Sequence, residues 1–390
     1  MTKKEIYLDN SATTPLSAAA KTKIAEAMDI YGNPSSLHGA GVAAERLLNN
    51  ARHQVLEGLG VRHRRDGGAL VFTSSGTEAT SLALFGTAYA KERRTATRIL
   101  TTNSEHPSVA RIMDKLEGNG FEVIRISTKG GVLDMDELRG ALDKAIFLAS
   151  FMLVNNETGA IYSVAEAFKT IKQRYPDAIT HCDAVQGFMK VPFSPTSLSA
   201  DLVTVSAHKL HAPKGVGALY ISAPMLKSKR ILPFILGGGQ EDGMRSGTEN
   251  VIGISAFGAS VEDIYKRRNE ISAYMEELRA YADEKLAEID VRINLPQGKR
   301  LANIINITLP DIKSETMLHA LSADGIYVSS GSACSSHSKH PSDSLSAFGL
   351  SAQEADRSLR ISLSEYNTKE DIDALCDSLN KNIARLVRIK

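Results

Sequence analysis

From the N-terminus to about Ser260 the chain alternates short β-rich runs with stretches of helical period, and this alternation constrains the fold more than any other feature. Candidate strands fall at 69–73, 98–102, 121–126, 145–154, 179–183, 202–206 and 218–221, with helix-period stretches at 43–59, 77–92, 108–116, 136–142 and 164–175 between them. Strands separated by helices pair in parallel, because each return to the sheet needs a crossover, and the helices then cover both faces. The expectation is an α/β protein: a three-layer αβα large domain over 15–260, built on a mostly parallel seven-stranded sheet. Beyond 260 come a charged helical stretch at 261–289, the run 301–309, a helix at 315–321, short strands at 326–329 and 359–363, and a last helix from Thr368. That pattern predicts a smaller α+β domain over 261–390, with 1–14 packed against it.

Charge and cysteine usage narrow the function. Lys and Arg total 46 against 45 Asp and Glu, so the near-zero balance leaves no electrostatic footprint for nucleic acid and favours a small-molecule partner. The apolar run 145–154 is too short to cross a bilayer, and no apolar segment follows Lys3 and Lys4, so neither membrane nor export is expected and the cytoplasm is the expected location. The three cysteines, Cys182, Cys334 and Cys376, are odd in number and form no CxxC pair. Neither a disulfide framework nor a metal site is expected.

Three stretches carry chemistry. DLVTVSAHKLHAPKGVG at 201–217 runs an apolar strand into Ser206, His208 and Lys209 and then into a Gly/Pro turn. A lysine at a strand end facing a cleft is desolvated and nucleophilic toward an aldehyde; a solvated surface lysine is the plain alternative. ITHCDAVQ at 179–186 ends a buried-strand pattern in Asp183. Ligands of α/β sheets sit beyond the carboxyl ends of the strands, where such an acid can keep a pyridine nitrogen protonated, although a turn or cap aspartate reads the same. In VFTSSGTEATSLA at 71–83 a strand breaks at Ser74, Ser75 and Gly76 and a helix opens at Thr77. Free N–H groups there make a phosphate seat, or belong to an ordinary capping box. Together the three supply a phosphate cradle, a pyridine partner and an aldehyde-binding lysine.

These stretches belong to a longer series: YLDNSATTP at 7–15, GNPSSLH at 32–38, FTSSGTEA at 72–79, SEHPSV at 104–109, VNNETG at 154–159, HCDAVQ at 181–186, SAHKLHAPKGVGALY at 206–220, GGGQEDGMRSGTEN at 237–250 and SSGSACSS at 329–336. Over nearly its whole length the chain resembles the cysteine desulfurases of the NifS/IscS type, in the class V aminotransferase branch of fold-type I pyridoxal-phosphate enzymes. The resemblance implies pyridoxal phosphate as cofactor, bound through Lys209, with Asp183 on the pyridine nitrogen and Gln186 on the phenolic oxygen. It implies that His106 stacks on the ring and moves protons, and that Gly76, Thr77, Ser206 and His208 hold the phosphate. It further implies a homodimer in which Thr248 reaches the neighbouring subunit's phosphate, with Asn156 and Arg360 on the carboxylate of L-cysteine. The chain departs from the family pattern at Asp242, where an arginine is common, and at Ser81, where many relatives carry asparagine.

Cys334 separates a desulfurase from its relatives. It lies in SSGSACSSHSKHPSDS at 329–344, almost without apolar content, where a mobile exposed loop is expected and a free cysteine points to reactivity. Cys182, next to Asp183 on a strand, should pack in the core, as should Cys376 in the apolar register of the last helix. The implied activity is removal of sulfur from L-cysteine, leaving a persulfide on Cys334 for an acceptor such as an iron–sulfur scaffold protein. A selenocysteine lyase, an aminotransferase or a catalytically reduced scaffold subunit are the alternatives, and product analysis separates them.

Overall fold

A computed structural model describes residues 5–61, 68–90, 96–330 and 342–386. Among them, strands run at Ile6–Tyr7 (β1), Ala69–Thr73 (β2), Arg98–Thr102 (β3), Glu122–Ile126 (β4), Ile146–Met152 (β5), Ile179–Asp183 (β6), Leu202–Ser206 (β7), Gly217–Ile221 (β8), Arg292–Ile293 (β9), Ile304–Thr308 (β10), Ile326–Tyr327 (β11), Ser329–Ser330 (β12) and Ser358–Ser362 (β13). Seven of these form one sheet in the order β2-β8-β7-β6-β5-β3-β4. Pairing is parallel from β4 through β3, β5 and β6 to β7, and β8 runs antiparallel to both of its neighbours.

The alternation of side chains along each strand builds two cores on this sheet. Leu70, Phe72, Val203, Val205 and Ala218 face one core, while Val71, Leu202, Leu219 and Ile221 face the other. Helices Gly39–Gly58 and Val164–Arg174 cover the first face, and helices Gly76–Ala88 and Pro107–Gly118 the second. Both faces being covered explains why the strands read as nearly continuous apolar runs. The fold is the expected three-layer α/β arrangement with a mostly parallel seven-stranded sheet.

The long helix covers Val251–Ala287, beginning ten residues before the expected 261. Its first turns, VIGISAFGAS, are buried nearly all round and so lack the polar face that marks a surface helix. A Cβ on Gly258 would lie 2.6 Å from Ala51 Cα, so glycine lets this helix press against Gly39–Gly58. Its early residues Val251 to Ile264 join the first core; Met275, Leu278, Ala282 and Leu286 join a separate one. That second core holds Ile305 and Ile307 of β10, Leu359 and Ile361 of β13, and Ile6 of β1. Its sheet runs β12-β13-β10-β9, and β1 pairs in parallel with β11. Among the described residues no helix is long and apolar enough to cross a membrane.

Candidate active site

The chain turns back on itself between β3 and β5: β4 lies on one side of β3, and all later strands of the sheet except it lie on the other. Such a reversal opens a crevice beyond the carboxyl ends of the strands. Asp183 is the last residue of β6, and Ser206 the last of β7. Lys209 follows in the short turn Ala207–Lys209, and His106 follows β3 as the cap of helix Pro107–Gly118.

Each group is held by a local bond. His106 Nδ1 accepts the Ser108 N–H at 3.1 Å, which leaves the proton of the neutral ring on Nε2. Burial, and then the charge of Lys209, push this imidazole down to about 4. Asp183 Oδ1 accepts the Val185 N–H at 3.0 Å. Burial pushes its carboxyl up to about 6, against the pull of the Val185 bond and of Lys209. Lys209 Nζ donates to the carbonyls of Ser11 (2.5 Å) and Ala12 (2.8 Å), and Gln186 Nε2 donates to the same Ser11 carbonyl at 2.9 Å. Lys209 and Gln186 therefore converge on the N-terminal segment, which forms one wall. His208 adds to that wall: its carbonyl accepts the Thr14 N–H at 3.0 Å and its Nδ1 lies 3.3 Å from Thr13 Oγ1.

The turn after β2 approaches from the side. Ser75 Oγ accepts the N–H of Glu78 at 3.1 Å, leaving Gly76 and Thr77 at the open start of a 13-residue helix. Gly76 is buried and Thr77 exposed. A Cβ on Gly76 would come within 3.2 Å of both Ser206 Cβ and Val185 Cγ2, so the turn, the end of β7 and the residues after Asp183 share one small space. Ser81, on the same helix, donates to the Thr77 carbonyl at 2.9 Å.

Arg360 lies within β13 and is 2% exposed. Its Nη2 donates to Asp9 Oδ1 at 2.8 Å and its Nη1 to the Asn156 carbonyl at 3.1 Å, while its buried Nε has no partner among the described residues. Asn156 and Arg360 are thus brought together, with Asp9 already on one arm of the fork. Thr248 is exposed in the segment before the long helix, as is Asp242, whose φ is 55°. Cys334 lies outside the described residues. Cys182 and Cys376 are both buried, and burial pushes the Cys376 thiol up to about 12.

The residues fit pyridoxal phosphate on three counts. The helix start at Gly76 is an anion seat that a side chain would crowd against Ser206 and Val185. Asp183 is a buried carboxyl that a pyridinium N–H would stabilise as the anion. Gln186 Oε1 is buried with no partner among the described residues, as expected of an acceptor kept for a bound group. Lys209 also lines a cavity of about 600 Å³ with Lys190, His211, Arg268 and Glu365. His106, Asp183 and Gln186 are not among its lining residues, so Lys209 stands between this cavity and the other converging groups.

A lysine, an acid and an anion seat gathered at the reversal of a mostly parallel sheet define a pyridoxal-phosphate enzyme of fold type I. The aminotransferase class-V family model matches residues 6–375. Cysteine desulfurase IscS of Dictyoglomus turgidum is 37% identical, over 98% of this chain and 96% of its own. A solved NifS-like protein superposes with a TM-score of 0.90 at 34% identity, covering 98% of this chain and 100% of its own. SspA, solved in complex with cysteine, gives a TM-score of 0.80 at 28% identity, covering 94% and 100%. The chain belongs to the class-V aminotransferase family, in its cysteine desulfurase branch.

Sequence reasoning passed over Asp9 and Glu105. Asp9 had a signal, as the acid of YLDNSATTP, but its partner Arg360 is 351 positions away. Glu105 is buried beside His106, and only its adjacency in SEHPSV pointed to it.

Proposed function

We propose that the protein takes sulfur from L-cysteine, using pyridoxal phosphate bound at Lys209, and passes it through Cys334 to an acceptor protein. The convergence of Lys209, Asp183 and Gln186 on one space with the Gly76 turn carries this reading. When bound, the cofactor withdraws electrons from the substrate carbons, which makes the Cα–H acidic and the C–S bond breakable.

The chain's own groups do the rest. Gly76, Thr77, Ser206 and His208 hold the phosphate. An ionised Asp183 accepts the pyridine N–H, and Gln186 supports the phenolic oxygen. Asn156 and Arg360 orient the substrate carboxylate, the arginine held in place by Asp9 and the Asn156 carbonyl. The Lys209 amine takes the proton from Cα, and His106, protonated on Nε2, is placed to give or receive one at the sulfur side. The Cys334 thiolate then bonds to the substrate sulfur as the substrate's C–S bond breaks; the carbon skeleton takes up one proton at Cβ, regains at Cα the one held by Lys209, and leaves as alanine. No oxidant is consumed.

Residues 15–260 would carry the cofactor, and 1–14 with 261–390 the smaller domain and Cys334. Exposed Thr248 would complete the phosphate site of a second subunit, making the working form a homodimer, and its setting would be the cytoplasm, where thiols stay reduced. The test feeds the loaded enzyme with sulfur-labelled cysteine and maps the label by peptide mass. Label on the Cys334 peptide with release of alanine is expected, and Cys334→Ala should keep the cofactor but release no alanine. Label on the buried Cys182 or Cys376, or full turnover by Cys334→Ala, would remove Cys334 from the mechanism.

A further inference from the structure

Two carboxyls, not one, are buried at this edge of the sheet. Glu105 is 5% exposed. Its Oε1 accepts the Thr102 hydroxyl at 2.8 Å, at the end of β3, and the Met152 N–H at 2.9 Å, at the end of β5. Met152 lies directly opposite Asp183 in the β5–β6 pairing, so Glu105 reaches under the strand end that presents the second acid. Its other oxygen, Oε2, is buried and has no partner among the described residues.

Among the described residues, the groups that bear on Glu105 supply no compensating positive charge. Asp183 and Cys182 of β6 and Tyr162 of the segment after β5 are coupled to it electrostatically, and His106 adjoins it in sequence. Three of these, the carboxyl, the thiol and the phenol, become negative on ionisation, and His106 is held neutral. The charge of Lys209 bears on Asp183 and His106. A carboxylate with one oxygen dry and bare would carry the full desolvation cost of its charge, whereas a neutral acid would not. A buried carboxyl that feels the charge of another does not ionise readily beside it, and the one with the smaller claim on a cation keeps its proton.

We propose that Glu105 is a positioning residue carried as a neutral acid: it ties the turn bearing His106 to the ends of β3 and β5, and it leaves the negative charge of this edge to Asp183. The inference rests on the reading of Asp183 as the pyridine-nitrogen partner. In agreement with it, burial first, and then Asp183, push Glu105 up to about 8.

A neutral acid has a neutral isostere, which makes the proposal testable with Glu105→Gln. In the cofactor-free protein, an acid whose folded value lies above its ordinary 4.5 stabilises the fold fully below that value and loses the contribution as pH rises toward 8. The urea midpoint of the unaltered chain should therefore fall relative to Glu105→Gln between pH 5 and pH 8, the gap widening with pH. Parallel midpoints across that window would overturn the proposal. In the loaded enzyme, Glu105→Gln should keep cofactor retention on dialysis and the pH profile of the cofactor's visible band within about two-fold, since both bonds to Oε1 survive. Glu105→Ala, which strands the Met152 N–H and the Thr102 hydroxyl, should lose cofactor faster than Glu105→Gln. Loss of cofactor from Glu105→Gln equal to that from Glu105→Ala would show that the ionised form is needed, and the proposal would fall. Asp183→Asn separates the two readings: an unchanged band in that variant refutes Asp183 as ring partner, while the widening stability gap of Glu105→Gln still reports the neutral acid.

Discussion

Two histidines hang from the same sheet in opposite circumstances. His181 lies in the interior of β6, fully buried, with Nδ1 at 2.8 Å from Ser150 Oγ and Nε2 at 3.0 Å from Thr204 Oγ1, so both nitrogens are spent on neighbouring strands. His106 sits past the end of β3 and commits Nδ1 to the first turn of its own helix. Burial depresses both, to about 3 and about 4. In the interior, depression is a consequence of packing; at the edge it sets a protonation state that a bound molecule can use. Substitutions in the two regions should therefore separate stability from chemistry.

The largest expected effect is at the edge. Asp183→Asn keeps an acceptor for the Val185 N–H but removes the charge that a pyridinium needs, so turnover of cysteine should fall by about 100- to 1000-fold. The cofactor-free variant should melt no lower than the unaltered protein, because burial raises the Asp183 carboxyl and its charge opposes folding. A drop in melting temperature matching the loss of activity would erase the distinction between the regions. In the interior the ranking reverses. Phe168 is fully buried and stacks on Phe151 with ring centroids 5.5 Å apart. Phe168→Ala should cost about 3–5 kcal/mol of unfolding free energy in a denaturant titration, with kcat per folded molecule nearly unchanged.

The same division governed what could be read from the sequence. Strands β2, β3, β6 and β7 fall on their expected limits, because short runs rich in apolar and β-branched residues are bounded by turn residues. The expected strand to Val154 ends at Met152, since Val154 leaves the sheet to bridge Ile161. The two-residue strands β1 and β9 carry too little pattern to register; partners supplied by β11 and β10 define them. At the site, Lys209 and Asp183 were legible because strand ends announce themselves. The grip of Asp9 on Arg360 and of Thr102 and Met152 on Glu105 was not, since it depends on which strands become neighbours.

The smallest expected effect sharpens the comparison most, because it measures the two histidines on one scale. A histidine held neutral in the folded state, but free to take a proton near 6.5 when unfolded, contributes stability that is complete above 6.5 and drains away as pH falls toward its folded value. His181→Asn keeps one donor and one acceptor for Ser150 and Thr204 yet cannot charge, so the urea midpoint of the cofactor-free protein should fall less steeply between pH 6.5 and pH 4.5. The slope can differ by at most about 1.4 kcal/mol per pH unit for one proton. His106→Asn should flatten the same limb less, because its ring is only partly buried and solvent shares the cost of charging, yet it should lower turnover where His181→Asn does not. Equal acid slopes for His181→Asn and the unaltered chain would mean that the interior imidazole takes its proton without unfolding, and the contrast between interior and edge would then rest on hydrogen bonding alone.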